Sequence, residues 1–266
     1  MKRVRTYLTA LTLIGIVYSA PLHAVSGTWS ADPVIASEAC DNLEWLEIAA
    51  FLETYYYSTL AYSAGDDASG AQMMQHYAVA STLVTRSQIC LAEALALKEL
   101  ADELREQQAL LTSGTSMSKR QVKKQRKLTD EANEEIGEAA YALDQLTPEQ
   151  KDRFRKGSAA YMAGTYATGK LYQAAEGFVR ASAEEATADD SSSSSKFGLD
   201  KVKSVAGKAT SIFRKGTEMT IVFRGLQDHT GDLYSTSQFL KRYAKQKDID
   251  LPADATEQLA DVSDWI

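Results

Sequence analysis

Apolar residues recur at three- and four-residue steps along most of this chain, the spacing of one face of an α-helix. Leu43, Leu46, Ala50, Tyr57 and Leu60 share a stripe and predict a first helix over about 37–63, ended by Gly-Asp-Asp-Ala-Ser-Gly at 65–70. Met73, Tyr77, Ala80, Val84, Leu91, Ala94, Leu97, Ala101, Leu104 and Leu111 continue at helical steps and predict one long second helix over about 72–111. Ser118 with Gln121 three residues on is a capping-box pattern, and it opens a third helix carrying Val122, Ala132, Ile136, Ala139, Leu143 and Leu146 on one face. Thr147 and Gln150 form a second such box around Pro148, whose fixed φ suits a first helical position.

The fourth helix, about 148–187, is rich in small residues at Gly157, Ala160, Gly164, Ala167 and Thr168. Each helical glycine costs roughly 1 kcal/mol relative to alanine, so close approach by a neighbouring helix is the expected compensation. A membrane span is the competing reading of this seam, but Lys170, Gln173 and Glu176 interrupt it and favour soluble packing. A serine-rich stretch at 189–196 offers no side chain to a core and reads as a linker or loop. Helices over about 197–226 and 229–247 follow, then a short one opened by Pro252. The expected fold is all-α: an elongated bundle of about six helices built on a long antiparallel helical hairpin. A bundle spans 37–188, and the C-terminal helices at 197–266 pack on it.

The N-terminus changes the picture of where such a bundle works. Lys2, Arg3 and Arg5 precede an apolar run from Leu8 to Val17 and a Leu22-His23-Ala24 ending, the order of a cleaved signal peptide over 1–24, followed by an extended segment at 25–36. Its removal takes the formal net charge from −7 to −10, which argues against general binding of nucleic acid or anionic membrane. Asn42 and Asn133 lie outside any Asn-x-Ser/Thr context, a composition that leans toward a bacterial periplasm or secreted product.

Two cysteines, Cys40 and Cys90, are the whole thiol supply. They lie at equal distances from Gly65, the start of the turn between the first two helices, so a folded-back hairpin brings them to the same height. With an oxidising address and no Cys-x-x-Cys spacing, the pair is expected to form one structural disulfide.

Six positive charges crowd the start of the third helix, at Lys119, Arg120, Lys123, Lys124, Arg126 and Lys127. The helix dipole disfavours cations there, so they need partners. One reading is an inter-helix zipper pairing Lys123 with Glu106 and Arg126 with Glu103; the other is a docking patch for an acidic partner. A second basic feature lies at 196–216, where Leu199, Val202, Val205, Ala209, Ile212 and Phe213 form an apolar face. Lys201, Lys203, Lys208, Arg214 and Lys215 lie opposite. Such a helix packs in a bundle with a solvated face, or lies on an anionic membrane as a peripheral contact.

Candidate chemistry is sparse. His76 and His229 are the histidines beyond the signal segment, and neither has metal-ligand spacing beside it. Zinc, haem, phosphate-loop, dinucleotide and nucleophile-elbow patterns do not occur. Glu44, Glu47 and Glu53 could pair for acid and base work, but surface solvation explains them more simply. Tyr55, Tyr56 and Tyr57 point to all sides of the first helix, so one of them is expected to face outward or toward another element. The sequence thus predicts a non-enzymatic exported protein without cofactor or metal. It would act by contact with another protein, as adaptor, chaperone or assembly subunit, with a membrane-active protein using 196–216 as the alternative.

Overall fold

A computed structural model describes Cys40 and residues 43–60, 68–113, 118–188 and 225–265. The predicted signal peptide, extended segment, serine-rich stretch and basic helix at 196–216 lie outside these residues. Those described form seven α-helices and no strand: α1 Trp45–Phe51, α2 Ala68–Ala94, α3 Lys98–Thr112, α4 Lys119–Ala142, α5 Pro148–Ala188, α6 Leu226–Gln246 and α7 Ala253–Val262. Between α1 and α2 the chain continues as a π-helical turn, Leu52–Tyr56, and a 3₁₀ turn, Tyr57–Thr59.

Both predicted capping boxes form. Ser118 Oγ accepts from the Gln121 amide while Gln121 Oε1 accepts from the Ser118 amide, and Thr147 and Gln150 exchange the same pair at the start of α5. The single long helix expected over 72–111 is instead two, broken at Leu95–Leu97. Ala96 takes a left-handed φ of 62°, the Leu97 amide donates to Ala92 O at 2.8 Å and the Ala96 amide to Glu93 O at 3.2 Å. These are the two bonds of a Schellman stop, built here on alanine where glycine usually signals it.

The first apolar stripe also differs from expectation. Leu46 is 78% exposed, and Ala50 also faces solvent; Trp45, Ile48, Phe51, Leu52 and Tyr56 turn inward. Apolar residues lie on nearly every side of this short segment, so period alone allows two stripes, and packing against α5 selects the second. Cys40 lies ahead of α1, and α1 packs chiefly on α5.

α2 is the central helix. From Val79 to Ala92 every residue is buried, including Ser81, Thr82, Thr85, Arg86, Ser87 and Gln88. α5 runs along it, with α6 and α7 on the other flank of α5 and α3 and α4 completing the enclosure of α2. The seam of small residues is where α2 and α5 meet. A Cβ on Gly157 would lie 3.0 Å from Leu91 Cγ and 3.1 Å from Ser87 O, and one on Gly164 would lie 2.7 Å from Val84 Cγ2 and 3.1 Å from its amide nitrogen. Valine at 164 therefore has to push the two longest helices apart. Gly164→Val is expected to lower stability by about 1–3 kcal/mol, whereas Gly137→Ala, where a Cβ meets nothing within 4 Å, should raise it by up to about 1 kcal/mol. Urea unfolding of the two variants checks the contrast.

Tyr77 and Gln88 of α2 enter a buried network reaching α4 and α5, while Thr82 and Ser87 donate to carbonyls of α2 itself. Tyr77 Oη donates to Gln125 Oε1 at 2.7 Å, Gln125 Nε2 to Thr129 Oγ1 at 2.9 Å, and Gln88 Nε2 to Thr129 O and Asn133 Oδ1, both at 2.8 Å. Tyr161 Oη joins at Asn133 Oδ1, 2.9 Å away. Such bonds hold register between helices whose apolar faces alone would tolerate sliding.

Candidate binding cleft

Cys40 and Cys90 are joined in a disulfide, with Cα atoms 5.4 Å apart. It ties the chain ahead of α1 to the C-terminal end of α2. Lys156 adds an ion pair to Glu44 at 2.9 Å, anchoring the start of α1 to α5. Arg86, fully buried on α2, has its pKa lowered to about 10 by burial, with the nearby Glu47 carboxylate opposing that shift. Two of the three glutamates of the first helical segment thus support the fold.

The third, Glu53, lines a cleft. Its lining is Glu53, Tyr57 and Leu60 from the irregular turns, with Tyr166, Lys170, Gln173 and Ala174 from α5, around a space of about 500 Å³. The α5 residues fall four, three and one apart, which places them on one helix face. On the opposite wall, the π-turn inserts an extra residue per turn. It shifts Tyr57 out of phase with the buried face of α1, leaving Tyr57 only half-buried beside the fully buried Tyr56. Turns of this kind concentrate at functional sites because they re-aim side chains.

Several bonds fix the walls. Tyr56 Oη donates to Ala167 O at 3.1 Å, clamping the π-turn to α5. Thr59 Oγ1 lies 2.9 Å from His76 Nε2, and Gln72 Nε2 donates to Thr59 O at 3.0 Å, clamping the 3₁₀ turn to α2. Burial holds the His76 pKa down at about 4, so the ring is neutral at pH 7 and can share one bond with the threonine hydroxyl. The Tyr57 and Tyr166 rings meet edge to face at 5.6 Å.

Trp265, just beyond α7, lies outside the cleft lining and backs Tyr166 and Lys170. A Cβ on Gly169 would lie 2.6 Å from Trp265 Cε3, so the missing side chain lets the indole rest on α5. There the indole lies 5.3 Å from the Tyr166 ring, and Lys170 Nζ sits 4.8 Å from the Trp265 centroid and 5.3 Å from that of Tyr166. Ring quadrupoles attract the ammonium and hold it at the cleft edge. Burial pushes the Tyr57 phenol well above its usual range, with Tyr166 and the Glu53 carboxylate adding to the effect, so it stays a hydroxyl.

Other sequence-derived candidates lie elsewhere. Arg126 turns inward from α4: its guanidinium sits 5.4 Å from the Tyr77 ring centroid and its Nε donates to Tyr77 Oη at 3.3 Å. Lys127 pairs with Glu131 of its own helix. Arg120, Lys123 and Lys124 are exposed, and no ion pair links Lys123 to Glu106 among the described residues. The side chain of Lys119 and all of Lys201, Lys203, Lys208, Arg214 and Lys215 lie outside the described residues. His229 is buried on α6, its pKa lowered to about 3 by burial and by Arg126. Among the described residues no group of three or more His, Cys, Asp or Glu could hold a metal ion, and no helix is long and apolar enough to cross a membrane.

No pattern along the chain marks the cleft as a unit. The tyrosine run at 55–57 was the available signal, but the π-turn that aims Tyr57 has no recognisable pattern in the residues. Comparison with known protein families, curated proteins and solved structures finds no match to this chain.

Proposed function

We propose that this is an exported, non-enzymatic helical protein that works by contact with another protein, and that the cleft between the π-turn and α5 is where contact is made. The cleft carries the reading. It combines aromatic rings, an aliphatic side chain, an ammonium and a carboxylate in one open concavity, the composition of an interface centre that receives a partner's side chain. Its walls are clamped from both sides, so little ordering entropy is lost on docking. The Cys40–Cys90 disulfide is compatible with an oxidising compartment, where such a bond persists.

A photo-crosslinking side chain introduced at Gln173, on the cleft, is expected to capture one defined protein in cells. The same probe at Lys124, exposed on α4, is expected not to. Lys170→Glu should abolish capture from Gln173 while the helical circular dichroism of the folded protein is retained. Equal capture from both positions, or none from Gln173, would overturn the reading.

A further inference from the structure

We propose that the cleft recognises the free C-terminal carboxylate of a partner polypeptide ending in an aliphatic or aromatic residue, with Lys170 as the anion anchor. This rests on the reading of the cleft as the contact site and specifies what enters it.

Three groups around the cleft have bonding capacity left over among the described residues. Lys170 holds its ammonium against Trp265 and Tyr166 yet meets no carboxylate. Glu53 makes no ion pair. The Tyr57 hydroxyl is buried with no hydrogen-bond partner. A buried hydroxyl without a partner is costly, and its presence in a cleft wall is accounted for if binding supplies an acceptor.

The distribution of charge selects the ligand. Lys170 already occupies the ring faces from within, so the aromatic wall is not free to receive an incoming cation. An anion, by contrast, completes a ring–ammonium–carboxylate stack, strengthened by the low dielectric beside the rings. Glu53 on the same lining repels a second negative charge, which disfavours an acidic run. A chain terminus meets these conditions with one residue: its carboxylate reaches Lys170 and the Tyr57 hydroxyl, its side chain packs on Leu60 and Tyr166, and its amide N–H faces Glu53. A space of about 500 Å³ falls in the range of small-ligand sites, fitting a chain end better than a long segment.

The test uses fluorescein-labelled tetrapeptides ending in phenylalanine or leucine, each as free acid and as C-terminal amide, titrated with the oxidised protein by fluorescence anisotropy. The free acids are expected to bind at least tenfold more tightly than the amides. Lys170→Gln should bring acid binding down to the amide level while the protein stays folded, its melting temperature falling by about 2–4 °C at most as the cation–π contacts go, and Lys170→Arg should retain the preference. Tyr57→Phe, which removes the unpartnered hydroxyl, should raise the melting temperature while weakening acid binding several-fold. Equal binding of acid and amide, or a preference that survives Lys170→Gln, overturns the inference. If no peptide binds but the probe at Gln173 still captures a protein, the terminus is wrong and the contact site stands. If capture from Gln173 fails as well, both fall.

Discussion

Lowering the pH from 7 to 4.5 is expected to cost this protein on the order of 5 kcal/mol of stability, through two buried histidines. His76 is wholly buried on α2, and its pKa is lowered from 6.5 to about 4, chiefly by burial. His229, on α6, is lowered to about 3 by burial and by the Arg126 guanidinium. A base whose folded pKa is depressed stabilises the fold fully above its unfolded value, near 6.5. That stability is lost as the pH falls, because the unfolded chain takes up a proton that the folded chain refuses. Each histidine contributes about 2–3 kcal/mol over this window, and the two together rival the whole stability of a marginal domain, about 5–15 kcal/mol. Ordinary carboxylates titrate near and below pH 4, so the interval from 6.5 to 4.5 belongs mainly to these two rings. Urea midpoints measured across it should fall steeply for the native chain, and His76→Gln with His229→Leu should flatten the profile. A double variant as acid-sensitive as the parent would show that other groups carry the effect.

The same acid loss has a functional consequence at the cleft. Protonation places a charge on a ring buried edge-to-face against Tyr56 and beside the 3₁₀ turn, and the cost of burying that charge loosens the wall that carries Tyr57 and Leu60. Binding at the cleft is therefore expected to weaken over the same pH window, before global unfolding.

Removing the disulfide is the second large effect. Cys40 and Cys90 close a loop with a sequence separation of 50 residues. For a loop of that size the chain-entropy estimate is about 4 kcal/mol. Cys40→Ala with Cys90→Ala, or reduction of the native chain, should lower stability by up to about that amount, read as a shift of the urea midpoint. The loss should be felt first at α1 and the π-turn, since Cys40 lies ahead of them and Cys90 is fully buried near the C-terminal end of α2. With the bond gone, α1 keeps the Glu44–Lys156 pair and the Tyr56–Ala167 hydrogen bond to α5. Hydrogen exchange should show residues 45–60 opening well before α2 and α5. Uniform exchange across all helices would mean that packing alone, not the cross-link, holds this segment.

Helices with clear local punctuation are legible along the chain. Ser118 with Gln121 and Thr147 with Gln150 placed two starts, because capping is local chemistry between residues three apart. The small-residue seam of α5 was legible for a similar reason: glycines at 157 and 164 are unfavourable in a helix unless something packs there, and α2 does. The cysteine pairing followed from there being only two thiols. The remaining features arise from long-range packing. The stop at Ala96 uses left-handed backbone on a residue with no sequence preference for it. α1 offered two apolar stripes, and only the presence of α5 chose between them. The polar side of α2 is chemically indistinguishable from a solvated face until α4 brings Gln125 and Asn133 to its hydrogen bonds, with Tyr161 of α5 bonded to Asn133 behind them. The cleft joins residues more than a hundred positions apart through a π-turn and a glycine that admits Trp265. Side chains that meet only after folding leave no periodic trace along the chain, because periodicity records which way a helix faces and not what it will face.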